Sequence, residues 1–219
     1  MIVLRLPKAA ERPIRVDDSV LAVTLAFSIA AMALLLHIAV ASADRRQAIA
    51  VVVYGTTLVA CALCSFLYHK AARARWRRIL RYLDHAAIFL LIAGTYTPFA
   101  SDDLRGPFGL SLLVWVWALA SLGIVLKLLL GAYDHIFVGL YVGIGWFVVV
   151  ALGRSITVIG PASLMLLIAG GIAYTAGAIV YARNTSRWTA PIWHSCVLGG
   201  CLTHFCAVLA HISTDCLTA

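Results

Sequence analysis

The residues best suited to chemistry in this chain are polar side chains that interrupt long apolar stretches. Ser65 and His69 stand at the end of one apolar run. Asp84 and His85 stand at the beginning of the next run, and His194 lies near the beginning of the last one. Neutral imidazoles and carboxylates are ordinary zinc ligands, and three protein ligands with one water make a catalytic centre. These residue types predict either a metal site or a group of hydrogen-bonded polar side chains at wet helix ends.

Helical spacing decides which of these side chains can meet. Ser65 and His69 are four positions apart and therefore share one helix face. If the two apolar runs form a helical hairpin, His69 and Asp84 can face each other at the same level. His85 is rotated by about 100° from Asp84, so the two cannot easily serve one centre. His194 completes the group only if its helix packs beside the hairpin, which the spacing leaves open.

The elements that must position these residues are membrane helices. The chain has 219 residues, of which 63% are apolar and 12% charged, whereas a soluble domain is about half apolar and about a quarter charged. This composition excludes a soluble globular enzyme, a disordered chain and a coiled coil. The apolar runs are continuous rather than alternating, which favours helices over a membrane barrel. The predicted fold class is therefore an all-α integral membrane protein.

Seven runs are long enough to cross a bilayer, since one crossing takes roughly 20 residues. They predict a seven-transmembrane helix bundle over residues 19–213, preceded by a polar N-terminal segment, residues 1–18, and followed by a short tail, residues 214–219. The predicted spans are 19–41, 47–69, 82–100, 109–130, 135–152, 159–181 and 191–213.

The distribution of Lys and Arg predicts the orientation of the bundle. With Lys127 counted in the segment after the fourth span, 13 of these residues fall on the side of the N-terminus and 4 on the other. The positive-inside rule then places the N-terminus and residues 1–18 in the cytoplasm, and the C-terminus outside. The net charge of +8 is explained by topology and anionic lipid, so no nucleic-acid partner is expected.

The most basic stretch, Lys70–Arg81, connects the second and third spans. We expect this loop to contact the head groups of anionic lipids in the cell membrane. Membrane lipids are thus the expected partners, and nothing in the pattern indicates an oligomeric state.

Other polar or reactive residues predict structural roles. His204 is ten residues beyond His194, or roughly 15 Å along a helix, so it is expected to hydrogen-bond to a neighbouring helix instead. Cys61 and Cys64 form a CxxC pair, but inside a span small apolar core residues are the better interpretation. No disulfide framework is predicted.

Four segments together resemble the hemolysin III family, which is grouped with the progestin and adipoQ receptors and, more remotely, with the alkaline ceramidases. The resemblance covers nearly the whole chain from the second span onward, and the LDHAAIF…AGTYTPF block is its most specific part. The segments are SFLYH (65–69), RYLDHAAIFLLIAGTYTPF (81–99), LYVGIGW (140–146) and PIWHSCVLGGCLTHFCAVL (191–209).

The resemblance implies seven spans with the N-terminus inside and a zinc site near the cytoplasmic face. The family's S-x3-H motif falls on Ser65 and His69. Its acidic residue, which in receptor relatives holds a zinc-bound water, falls on Asp84. The second histidine of its H-x3-H motif falls on His194, but the first falls on Ala190. The implied zinc ligands are therefore His69 and His194 with Asp84 as a direct ligand. The alternatives are that metal binding is weakened or lost, or that these residues have changed to a role without metal.

Two functions follow from this resemblance. The first is a zinc-dependent hydrolase of ceramide-like lipid amides, in which Asp84 orients water and Ser65 lies near the oxyanion. The alternative is a non-enzymatic membrane protein that is receptor-like, pore-forming or a regulator of membrane homeostasis, in which the site is structural or lost.

Overall fold

The computed structural model describes residues 15–42, 44–102, 107–130, 134–152, 159–183 and 186–218. Within these ranges the chain forms seven α-helices and no strand, which confirms the expected all-α class. The helices are α1 (Arg15–Ala41), α2 (Arg45–Lys70), α3 (Ala74–Asp102), α4 (Pro107–Leu130), α5 (Asp134–Leu152), α6 (Pro161–Arg183) and α7 (Thr189–Thr218).

Six of the described helices contain a segment long and apolar enough to cross a membrane. They are α1, α2, α3, α4, α6 and α7. In α5 the segment that meets the apolar criterion is Ile136–Phe147, which is shorter. Such helices must bury their backbone polar groups in internal hydrogen bonds, as a lipid environment demands.

The third helix begins two turns before the predicted span. It starts at Ala74 rather than at Tyr82, because the basic segment is rich in Ala and Arg, which are good helix formers. The hydropathy criterion leaves these residues out of the predicted span, because their charge lowers the mean hydropathy. The prediction of a loop over Lys70–Arg81 is therefore wrong from Ala74 onward, where the segment is helical and largely exposed.

Lys127 lies near the end of the predicted fourth span, as expected. It occupies the last turn of α4 and is 1% exposed. Its ammonium group lies 4.5 Å from the centroid of the Phe137 ring on α5. A cation over an aromatic face gains electrostatic stabilisation that offsets part of its desolvation.

Helix packing places α7 against the first half of the bundle. The helices α1 to α4 pack in chain order, α6 packs along α7, and α7 also contacts α1, α2 and α3. Glycines permit the close approaches: a Cβ added at Gly94 of α3 would overlap Thr57 of α2, and one at Gly170 of α6 would overlap His204 of α7. The beginning of α7 lies beside the end of α2, because the rings of His194 and His69 are in contact.

Two structural expectations are confirmed. His204 Nε2 lies 3.1 Å from the Leu167 carbonyl oxygen of α6, so this histidine bonds to a neighbouring helix. The five described cysteines, including Cys61 and Cys64, are all free thiols. Neither feature belongs to the polar group at the end of the bundle.

Candidate metal centre

Asp17, His69 and His194 come together at one end of the bundle. They lie in the first turn of α1, the last turn of α2 and the second turn of α7. Each offers a ligand-type atom, and these atoms all lie within 4.8 Å of one another. In the described ranges this is the one group of three or more His, Cys, Asp and Glu residues close enough to hold a metal ion.

His194 is held by a contact with Asp17. Its Nδ1 atom lies 2.5 Å from Asp17 Oδ1, and both side chains are buried. Pro191 occupies the first turn of α7, where a missing N–H costs nothing, so the helix can begin just before His194. An ionised carboxylate only accepts hydrogen bonds. In the neutral imidazole of His194 the proton is therefore on Nδ1 and the lone pair is on Nε2.

His69 is held in the same way by its own helix. Its Nδ1 atom lies 3.0 Å from the backbone carbonyl oxygen of Ser65, one turn earlier. A carbonyl also only accepts, so Nδ1 of His69 carries the proton and Nε2 is again the lone-pair atom. The rings of His69 and His194 lie edge to face, with centroids 4.8 Å apart.

These contacts fit a metal centre. A metal-binding histidine almost always donates its second ring N–H to a carboxylate or a backbone carbonyl, which fixes the ring for coordination. His194 does so to Asp17, and His69 does so to Ser65. Two ligand atoms of a tetrahedral zinc site are about 3.3 Å apart, so small side-chain movements bring the group to coordinating distance. Asp17, His69 and His194 can therefore bind a metal ion.

Ser65 and Asp84 form a second polar pair beside the histidines. The side chain of Ser65 is the hydrogen-bonding partner of the Asp84 carboxylate. Both residues, together with His194, line a cavity of about 80 Å³ whose remaining wall is mostly apolar. Asp84 thus faces the cavity and lies outside the group of three ligand atoms found in the described chain. Its role as a direct metal ligand stays a prediction.

His85 points elsewhere, as helical geometry predicts. It is buried, and its Nδ1 atom lies 3.3 Å from the hydroxyl of Tyr141 on α5. The same hydroxyl lies 3.3 Å from the backbone carbonyl oxygen of His85. His85 therefore links α3 to α5 and takes no part in the group around His194.

A second cavity, of about 90 Å³, lies between α3, α5, α6 and α7 and is almost entirely apolar. It shares four wall residues with the cavity at Asp84. These residues stand between the two spaces and are Ile88, Leu91, Tyr174 and Trp193. An apolar space thus adjoins the polar one.

Sequence reasoning missed Asp17. The length criterion starts the first span at Ser19, so Asp17 was assigned to the polar segment outside the membrane, whereas α1 begins at Arg15. One signal in the sequence indicates Asp17. The acidic pair Asp17 and Asp18 directly precedes an apolar run. The charge distribution assigns this pair to the same end of the bundle as His69 and His194.

Comparison with known proteins now identifies the family. The family model described as Haemolysin-III related matches residues 21–205. The chain is 35% identical over 183 residues to a protein described as "Hemolysin-3 homolog" of Bacillus subtilis (strain 168), covering 83% of this chain and 86% of that protein. It is 36% identical over 186 residues to "Hemolysin-3" of Bacillus cereus, covering 84% and 85% of the two chains. The chain is a multi-pass membrane protein and belongs to the haemolysin III family.

Proposed function

We propose that this protein is a membrane-embedded, zinc-dependent hydrolase of ceramide-like lipid amides. One observation carries the proposal: the rings of His69 and His194 lie edge to face with each Nδ1 atom beside an oxygen acceptor, and His194 lines a cavity that also holds a carboxylate and a hydroxyl. The ring N–H groups of His69 and His194 are already bonded to oxygen acceptors, as they are at metal centres.

His69 and His194 would hold the zinc ion, with a carboxylate nearby. When bound there, zinc supplies Lewis acidity, which polarises a carbonyl and makes water a stronger nucleophile near neutral pH. In this proposal Asp84 orients the attacking water, accepts its proton and returns that proton to the leaving nitrogen. The Ser65 hydroxyl donates to the oxygen on which negative charge develops.

The net reaction adds water across the amide C–N bond and releases a fatty acid and an amine. A lipid amide suits this site because the polar pair of Ser65 and Asp84 adjoins two mostly apolar cavities inside a membrane bundle. The polar group recognises and cleaves the amide, while the apolar space accepts a hydrocarbon chain.

We also propose that all seven helices cross the membrane, with the N-terminus in the cytoplasm. The α5 helix has 19 residues, or about 28 Å at 1.5 Å per residue, which matches the hydrocarbon thickness of about 30 Å. The metal centre lies at the same end as Lys70 and the exposed arginines that follow it. The positive-inside rule assigns this end to the cytoplasm. This topology is tested by fusing a reporter that is active only outside the cytoplasm to each terminus. The C-terminal fusion should be active, and the N-terminal fusion should be inactive.

The test of function uses the purified full-length protein in lipid nanodiscs. Bound zinc is measured by elemental analysis, and hydrolysis is followed by the release of fatty acid from a ceramide. An analogue that has a non-hydrolysable amine in place of the amide serves as the substrate control. We expect one zinc per chain and zinc-dependent release from ceramide alone.

Matched histidine variants complete the test. His69→Ala and His194→Ala should lose both zinc and turnover, whereas His37→Ala should keep both because His37 is exposed near the far end of α1. Full zinc occupancy in both site variants would overturn the ligand assignment. Zinc without any turnover would instead favour the non-enzymatic alternative.

A further inference from the structure

We infer that Asp17 is a positioning residue of the metal centre: its carboxylate holds the Nδ1 proton of His194 and so directs Nε2 of that ring to the metal ion. This inference rests on the proposed metal site and names the residue, contributed by α1, that orders it. Nothing in the spacing of the chemical motifs assigns Asp17 this role.

The contact between the two side chains is short and buried. Asp17 Oδ1 lies 2.5 Å from His194 Nδ1, and the two side chains are 6% and 8% exposed. A buried carboxylate is expensive unless it is hydrogen-bonded or paired. Its place in the first turn of α1 stabilises the negative charge further, because the N-terminal end of a helix carries partial positive charge.

The separation favours positioning over direct ligation through this oxygen. A distance of 2.5 Å between Oδ1 and Nδ1 is that of a charge-assisted hydrogen bond. Two atoms bound to the same tetrahedral zinc ion would instead be about 3.3 Å apart. Asp17 therefore acts through His194.

The composition of α7 makes this support necessary. The residue one helical turn before His194 is Ala190, which offers no ligand atom, and His204 is bonded to Leu167 far along the helix. At this end of the bundle α7 thus brings one imidazole. A single imidazole has no neighbouring ligand on its own helix to restrain it, so its orientation depends on Asp17.

The adjacent residue provides a matched control. Asp18 lies next to Asp17 in the same turn of α1, but its carboxylate forms a partly exposed ion pair with Lys70 at 2.9 Å. Exposed pairs of this kind contribute little to stability. Removing the charge of Asp18 changes the net charge as much as removing that of Asp17 and leaves His194 untouched.

The experiment measures zinc affinity of the full-length protein and its Asp17→Leu, Asp17→Asn, Asp18→Leu and Asp18→Asn variants. Asp17→Leu should weaken zinc binding by about 10- to 100-fold, the usual effect of removing an outer partner of a ligating histidine. Asp17→Asn should weaken it less, because its amide oxygen still accepts from Nδ1. Both Asp18 variants should bind like the wild type.

Cobalt spectra separate positioning from ligation. At saturating Co²⁺, the visible absorption of Asp17→Leu should match that of the wild type, because the atoms bound to the ion are the same. A changed spectrum would show that Asp17 is itself a ligand and would overturn the inference. Wild-type zinc affinity in Asp17→Leu would overturn it as well.

Nitrogen NMR of ¹⁵N-histidine-labelled wild-type protein gives a readout that needs no folded Asp17 variant. The His194 signals, assigned with His194→Gln, should show the tautomer protonated at Nδ1 in the absence of metal. The opposite tautomer would contradict the inference. Failure of the proposed function has a different signature, namely zinc occupancy that survives His69→Ala, so the two failures can be distinguished.

Discussion

The rings of His69 and His194 meet edge to face, with their centroids 4.8 Å apart. This relationship fixes the end of α2 against the beginning of α7. Each ring is restrained from the outside, His69 by the Ser65 carbonyl and His194 by the Asp17 carboxylate. The two Nε2 atoms are therefore ordered before any ion binds, which reduces the entropy that binding must remove.

Adding a histidine at the empty position of α7 should strengthen metal binding. Ala190 is one helical turn before His194, so Ala190→His places a second imidazole on the same helix face. We expect zinc affinity to rise by about tenfold or more, since the site gains a ligand. Competition with a chelator measures this, and Ile192→His, at an exposed position of the same helix, is the control. Unchanged affinity in Ala190→His would contradict the placement of α7.

The pair formed by Ser65 and Asp84 should control turnover separately from metal content. Because Asp84 faces the cavity, we expect Asp84→Asn to lower ceramide hydrolysis by about 100-fold or more while keeping zinc. Ser65→Ala should lower turnover and also keep zinc, since its backbone carbonyl still holds His69. Loss of zinc in Asp84→Asn would instead make Asp84 a direct ligand, one of the alternatives that Ala190 leaves open.

Close packing of α2 on α3 should be sensitive to one methyl group. In Gly94→Ala the added Cβ overlaps the side chain of Thr57, so we expect a loss of about 1–3 kcal/mol in stability. Thermal unfolding followed by circular dichroism measures it. Gly139→Ala is the control, because a Cβ there meets no described atom within 4 Å. Thr57→Ala should rescue the first variant in part, because it removes the nearest atom and leaves the Cβ of residue 57. Equal melting temperatures for Gly94→Ala and Gly139→Ala would refute the close approach.

The exposed basic turns of α3 should bind anionic lipid. Arg75 and Arg78 are exposed near the beginning of this helix, and each charge near an anionic surface contributes about 1 kcal/mol. The double variant Arg75→Gln with Arg78→Gln should lose the thermal stabilisation that phosphatidylglycerol gives over phosphatidylcholine. Removing the same amount of charge at Arg45 and Arg46, at the other end of the α2–α3 hairpin, should have a smaller effect on this thermal stabilisation. Equal losses of this stabilisation in the two double variants would contradict specific lipid binding by the exposed basic turns of α3.

Most of the fold prediction rests on the hydropathy of the sequence. The predicted spans nearly coincide with the observed helices, because a run of about 20 apolar residues has few alternatives to a helix in lipid. A hydropathy criterion does not detect a helix formed by charged residues. It therefore predicts that the third span begins at Tyr82, whereas α3 begins at Ala74. The sequence does not reveal that Lys127 packs on Phe137, because hydropathy does not distinguish a buried charge from one in water.

Spacing alone predicted the candidate site only within one hairpin, whereas His194 was predicted from the family resemblance. Helical spacing links Ser65 to His69, and the short connection brings Asp84 alongside. The approach of α7 depends on side-chain shape across several helices, which no local spacing encodes. Asp17 was not predicted for a related reason. Its burial arises from contact with His194, which is 177 positions away in the sequence.

The sharing of the site between α1, α2 and α7 constrains when the protein can mature. During synthesis the first two helices leave the ribosome long before His194 is made. The coordination group therefore cannot assemble until the final helix has inserted and docked. Under the proposed function a metal ion could be bound only after this step, so a chain that stops after α6 would lack the site.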